Sequence, residues 1–273
     1  MVLAGGFIRG RVLAPFAFAP ALLVTAFGYS GESGDGNIAP FARRNYYREG
    51  VKGLQKLAHQ CRERWGGRRS DFRIYCNSRT PEKPWAEACG LGVLGRNGLI
   101  ITPEGGSRVL LAGMTLPFAL EGDPPLPDFK HFPVCCDSLR PPCAEACPTQ
   151  ALPGDGTLVR DRCIQWYASG HGERVPQNVA RHWGNRLYGC TACQEACPRF
   201  RSAGAKTPGL PRTDKGTLPA YIDPRELLAR DSGEIQALFK GTALGLAWLG
   251  PQALSRNALL SLLSGKGIWE DPQ

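Results

Sequence analysis

Hydrophobic positions fall along the chain in blocks whose spacing changes from one segment to the next. The first is an unbroken apolar run at residues 12–28 (VLAPFAFAPALLVTAFG), behind Arg9 and Arg11. A charged start followed by an apolar stretch is also the outline of a secretory leader. The run is short for a membrane span, however, Pro15 and Pro20 interrupt it, and the arginines are not adjacent as a twin-arginine signal requires. Its second half, 21–29, therefore predicts a buried strand.

After a loop at 30–37 (SGESGDGN), Val51, Leu54, Leu57 and Ala58 recur at helical spacing and predict a helix over 45–64. Residues 72–76 (FRIYC) alternate and are rich in aromatic and branched side chains, which predicts a strand. A short helix over 84–89 runs into the glycine-rich 90–98 (GLGVLGRNG), and strands follow near 99–102 and 107–112. The proline-rich 123–133 (DPPLPDFKHFP) reads as a linker. A second loop spans 201–220, and apolar repeats over 235–263 predict a helical tail. The pattern divides the chain into a mixed α+β or α/β segment at 1–130, a cysteine-rich segment at 131–200, and a linker with helical tail at 201–273.

Composition changes this picture at one point. At 273 residues, 42% hydrophobic and 21% charged, the chain is of ordinary globular make-up, with room for one substantial core and smaller modules. The cysteines are not ordinary. Of eleven, eight stand between 135 and 197: Cys135, Cys136, Cys143, Cys147, Cys163, Cys190, Cys193 and Cys197. Secreted disulfide scaffolds spread their cysteines through short chains, whereas here the first cysteine is Cys61. The clustering points to metal ligation and a reducing, cytoplasmic compartment.

Two stretches end alike, Cys143-Ala-Glu-Ala-Cys147-Pro148 and Cys193-Gln-Glu-Ala-Cys197-Pro198. Both are the closing half of the bacterial ferredoxin motif, in which the last cysteine, before proline, ligates the other of two clusters. A three-residue gap starts a helical turn that aims its final thiolate away from the first cluster, and proline stops the turn from continuing. On this reading one [4Fe-4S] cluster uses Cys135, Cys136, Cys143 and Cys197, and the other uses Cys163, Cys190, Cys193 and Cys147. Four thiolates also suit zinc, but the crossed Cys-Pro endings favour iron–sulfur. The first set departs from the motif: Arg140 stands where a cysteine is expected, and the adjacent Cys135 and Cys136 point opposite ways in extended backbone. Either a sharp turn brings both to one cluster, or that cluster has three protein thiolates. The formal net charge of +9 falls to roughly +5 with two clusters of about −2 each. That balance favours an acidic partner such as RNA, and supports plain solubility equally well.

The cysteine block and what precedes it resemble the epoxyqueuosine reductase family over about residues 21–262. The segments that carry the resemblance are Ile38-Ala-Pro-Phe-Ala42 with Arg44-Asn-Tyr46-Tyr, then the long block from Glu82 to Gly98, then Gly106-Ser107. Further on come Cys163-Ile164, Gly184-Asn-Arg-Leu-Tyr-Gly-Cys190, Cys193 to Pro198, Phe239-Lys-Gly-Thr-Ala-Leu and Arg256-Asn-Ala. The resemblance implies a nitroreductase-like corrinoid-binding domain, a dicluster ferredoxin-like domain and a short HEAT-like tail. It implies two [4Fe-4S] clusters and cobalamin as cofactors, the tRNA anticodon loop as partner, and an external donor of flavodoxin or ferredoxin type, with no membrane. The implied activity is reduction of epoxyqueuosine to queuosine. The implied corrinoid-binding residues are Tyr46, Asn77, Gly95, Arg96, Asn97 and Ser107.

Two departures qualify that activity. Where the family has a proton-donating aspartate, after the strand at 72–76, this chain has Asn77. An amide donates a hydrogen bond but releases no proton near neutral pH. Tyr46, Tyr47, Tyr75 or a water would have to substitute, or the substrate differs, or Asn77 is simply a turn residue. The family also usually has a further segment before the strand at 21–29, where this chain has about 20 residues, so corrinoid binding is either weakened or independent of that layer. A dicluster electron-transfer protein without corrinoid is the remaining alternative. Gly90, Gly92, Gly95 and Gly98 suit close approach of backbone either to a corrinoid or to a packed strand. Arg225, Arg230, Lys240, Trp248 and Arg256 suit RNA contact or a solvated face. Cys61, Cys76 and Cys89 read as small buried residues, and the four histidines show no ligand spacing.

Overall fold

A computed structural model describes residues 4–9 as backbone, and 19–29, 34, 36–78, 80–103, 105–120, 136–199 and 216–264. The linker at 123–133, Cys135, His131 and most of the loop at 201–220 lie outside these. The chain forms two compact units: Met1–Ser30 with Tyr46–Ser138 and Pro198–Arg212, and Gly31–Asn45 with Leu139–Cys197 and Thr213–Gln273. This differs from a division at 130 and 200, because the cysteine block and the helical tail fall in one unit.

The first unit is built on a four-stranded sheet of order β1 (Ala4–Arg9), β2 (Ala21–Gly28), β6 (Val109–Leu116) and β3 (Ile74–Cys76). Every pairing is antiparallel, so of the two fold classes expected it is α+β that describes this unit. Strand β2 is buried at all eight positions because both faces of the sheet are covered. Ala21, Leu23 and Phe27 pack with Leu54, Ala58 and Cys61 of α1 (Tyr46–Trp65). Leu22, Val24 and Ala26 pack the other way, with Trp85, Ala86 and Cys89 at α2 (Glu82–Ala88). A strand covered on both sides needs no polar alternation, which is why it reads as a continuous apolar run. Strand β1 has no such signature. It pairs in register from Ala4↔Ala26 to Arg9↔Ala21 and was not expected from the sequence. A small hairpin, β4 (Val93–Leu94) and β5 (Ile100–Ile101), follows α2.

The second unit holds short helices α3 (Pro142–Glu145), α4 (Ile164–Ala168), α5 (Gln177–Ala180) and α6 (Ala192–Glu195). Three more form the tail: α7 (Pro224–Leu228), α8 (Ser232–Phe239) and α9 (Pro251–Ser264). Asp223 and Asp231 cap α7 and α8, the latter in a capping box with Glu234. One core joins Leu187 and Tyr188 to Leu227, Ile235, Phe239, Leu244 and Leu254. A second joins Ile164, Tyr167 and Trp183 to Leu260. Segments this small bury too little apolar surface alone, so block and tail share their cores. Asn257 ties them further, donating to the carbonyls of Ala168 (3.0 Å) and Leu187 (3.1 Å).

Candidate functional site

The two Cys-Pro motifs fold as their spacing predicts. Helical turns α3 and α6 fill the residues before Cys147 and Cys197, and each turn ends ahead of its proline. Cys163 is the cap residue of α4, and its thiol lies near the N–H groups of Gln165 and Trp166. Burial pushes the Cys193 thiol up, followed by the nearby thiols of Cys190, Cys163, Cys147 and Cys143. Burial likewise raises Cys163, with Cys190 and Cys147 adding to it. Four thiols from three separate stretches, at 147, 163, 190 and 193, therefore sense one another in a half-buried setting.

Ionising such a group together requires a strong local positive charge. The surroundings supply a donor besides, the Ala151 N–H, which meets Cys147 Sγ at 3.2 Å. None of the ten described cysteines forms a disulfide. Among the described residues no three His, Cys, Asp or Glu side chains stand close enough to hold a single metal ion. Of the other proposed ligands, Cys143 and Cys197 are buried in the same unit. Cys136 belongs to the first unit, where its carbonyl accepts from Arg96 Nε at 2.7 Å.

Three of the remaining candidates, Asn77, Ser107 and Tyr46, lie toward one end of the first unit's sheet. Strand β2 ends where β6 begins, at Gly28↔Val109, and β3 ends at Cys76↔Ala112, so Asn77 leaves the sheet at the end where Ser107 and Arg108 enter it. Tyr29, just past β2, donates its N–H to the Arg108 carbonyl at 3.0 Å, and its ring lies 6.0 Å from that of Tyr46. Asn77 has φ of 49°, a left-handed conformation that asparagine tolerates better than most residues. It is a turn residue by geometry. Gly95-Arg-Asn-Gly98 closes the β4–β5 hairpin, with the Gly98 N–H on the Gly95 carbonyl at 2.9 Å. Lys83 Nζ holds the Gly98 carbonyl at 2.6 Å.

The glycines of this block are explained within the chain. A Cβ at Gly92 would meet the Ile101 carbonyl and one at Gly95 the Ile101 side chain, while Gly90 and Gly98 take positive φ. Asn97 is different. Its Oδ1 accepts from the Leu99 N–H at 3.2 Å, while its Nδ2 is buried without a partner among the described residues. Arg256, a candidate for RNA contact, instead ties α9 inward by donating to the Gly172 and Tyr167 carbonyls. Cys61, Cys76 and Cys89 are packing residues; Cys76 donates to the Leu111 carbonyl at 3.5 Å.

Reasoning from the sequence passed over Glu82. Its Oε1 accepts from the N–H (3.0 Å) and the hydroxyl (3.2 Å) of Ser78, beside Asn77. Only the fold reveals this, since no motif marks a glutamate at the start of a helix.

Fold and thiol arrangement together define a double-cluster iron–sulfur protein, and the comparisons agree. A family described as a 4Fe-4S double cluster binding domain matches residues 136–199. Epoxyqueuosine reductase of Synechocystis is 32% identical over 241 residues, covering 85% of this chain and 78% of the relative. The chain thus belongs to the epoxyqueuosine reductase family. The same-named protein of Staphylococcus aureus is 35% identical over 179 residues, 65% of this chain, and the chain spans 43% of its length. A crystal structure of an epoxyqueuosine reductase with an epoxyqueuosine-modified tRNA stem loop shares the fold, with TM-score 0.74 at 24% identity over 97% of this chain and 78% of that one. Among the described residues no helix is long and apolar enough to cross a membrane.

Proposed function

We propose that this protein is an oxidoreductase that converts epoxyqueuosine to queuosine in tRNA, with electrons entering through two [4Fe-4S] clusters. The observation that carries the reading is the mutual approach of the Cys147, Cys163, Cys190 and Cys193 thiols. These four hold one cluster. The other takes Cys143 and Cys197 with Cys136 or Cys135, on the spacing of the motif. Removing the epoxide oxygen balances as epoxide plus two electrons and two protons giving alkene and water. A low-potential protein donor supplies the electrons.

A corrinoid fits the first unit on one observation: the buried Asn97 Nδ2 has no partner among the described residues, and a ring bearing amide groups would accept from it. Tyr46, Asn77, Gly95, Arg96, Asn97 and Ser107 are the residues that would hold it in a nitroreductase-like domain. When bound, a corrinoid supplies low-potential electrons at the carbon–oxygen bond. The chain's own residues orient the base, exclude water and place a proton at the departing oxygen. Asn77, in place of an aspartate, favours a second reading, a related reductase with another substrate.

The test is anaerobic reconstitution with iron, sulfide and cobalamin, then incubation with an epoxyqueuosine-modified tRNA stem loop and a chemical reductant. Loss of one oxygen atom from the modified base, read by mass spectrometry, is the expected result. A fully loaded protein without turnover refutes the first reading in favour of the second.

A further inference from the structure

An epoxide oxygen that leaves as water needs a positioned acid as its carbon–oxygen bonds break, and this inference rests on the reading just proposed. Asn77 has no proton to give. Tyr75 is committed elsewhere: its hydroxyl donates to the Leu23 carbonyl at 3.1 Å, and burial holds its pKa well above the ordinary value. Tyr46 is buried at the start of α1, its ring against that of Tyr29. We propose that the carboxyl group of Glu82 is the catalytic acid of this enzyme, occupying the role that an aspartate at position 77 would fill.

Geometry places it there. Two donors of Ser78 hold Oε1, and the Asn77 N–H is a further donor to the carboxylate, so the group is moored to the turn that carries Asn77 out of the sheet. Glu82 is half-buried, so the moored carboxyl is not sealed from the surface. The groups facing the carboxyl are Ser78 and the Asn77 backbone, Lys83 beside it on α2, and Cys76 and Tyr75 on β3. Lys83 is drawn off toward the Gly98 carbonyl. Burial raises the Glu82 pKa and outweighs the Ser78 and Asn77 donors and Lys83, all of which lower it. A carboxyl held above the usual carboxylate range keeps its proton more firmly than an exposed one and can deliver it to a developing oxyanion.

In the step, the carboxyl O–H bond breaks as its proton passes to the epoxide oxygen. Both carbon–oxygen bonds break and the carbon–carbon double bond forms with two electrons from the low-potential donor. Solvent supplies the second proton, water departs, and the carboxylate is reprotonated from solvent.

The experiment compares reconstituted wild type, Glu82→Gln, Glu82→Asp and the double variant Glu82→Gln/Asn77→Asp on the modified stem loop, with iron content recorded for each. Expected is a fall in kcat of about a hundredfold or more for Glu82→Gln at unchanged iron content. Glu82→Asp should retain part of the rate, and the second change should recover at least about a tenth of it. Infrared spectra across a pH series should show a carboxylic acid band that titrates in wild type, is absent from Glu82→Gln and is shifted in Glu82→Asp. An active wild type with an equally active Glu82→Gln, or a band indifferent to both changes, overturns the inference alone. A loaded wild type that does not turn over removes the proposed function, and the inference with it.

Discussion

Tyr75 donates its hydroxyl proton to the carbonyl of Leu23, 3.1 Å away, across the position on β6 that Gly113 occupies. A Cβ at Gly113 would run into both the Tyr75 hydroxyl and that carbonyl. Gly113→Ala is therefore expected to destabilise the first unit by about 2 kcal/mol through overpacking. Thermal unfolding monitored by circular dichroism checks this, and an unchanged Tm would contradict the crossing geometry.

Asn257, fully buried, holds two carbonyls of the cysteine block from the tail. Asn257→Ala leaves both without their donor and should cost about 2–3 kcal/mol. Because Leu187 lies three residues before Cys190, iron loading should fall with stability. Urea unfolding alongside iron analysis would detect both; stability lost with full iron loading would show that the tail does not support the cluster loops.

Cysteine replacements separate ligands from packing residues. Cys163→Ala or Cys193→Ala should lower iron from about eight to about four per chain. Cys61→Ala, which alters only the contact of α1 with the sheet, should keep the full count. Equal iron in all three variants would exclude the proposed ligand set.

Burial pushes the Cys76 thiol up from 9.0 to about 12, with the Glu82 charge adding to it. The folded chain keeps that proton at pH values where the unfolded chain has lost it. The contribution of this group to stability is therefore complete below about pH 9 and is lost as pH rises toward 12. In Cys76→Ala that decline should be shallower, measured as Tm between pH 8 and pH 11. A slope identical to wild type would place the thiol in contact with solvent.

Legibility of this chain in its sequence followed local patterning. Residues 21–28 announced a strand covered on both faces because every side chain is apolar, and the helix from Tyr46 emerged from Leu54 and Ala58 at one spacing. The helical turns before the Cys-Pro endings were readable because cysteine, turn and proline are consecutive in the chain. Strand β1 was not, since Ala4-Gly-Gly-Phe-Ile-Arg9 takes its order from pairing with β2 and has no period of its own. Nor was the sharing of one core by Leu187, Phe239 and Leu254, which are far apart in sequence. Glu82 was invisible as a carboxyl of interest, because what marks it is a turn four to five residues away; Asn97 stood out only through the family resemblance, and its missing partner only through the fold. For Arg256 the charge left RNA contact and a solvated face open, and only packing shows it bound to carbonyls.

The claim beneath all of this is that thiols from stretches far apart in the chain surround iron and sulfide. Elemental and acid-labile sulfide analysis of protein purified without oxygen tests it most directly. About eight iron and eight sulfide per chain are predicted, with a broad visible absorption that bleaches on reduction. Zinc at about two per chain without sulfide, or cysteines joined as disulfides, would contradict it.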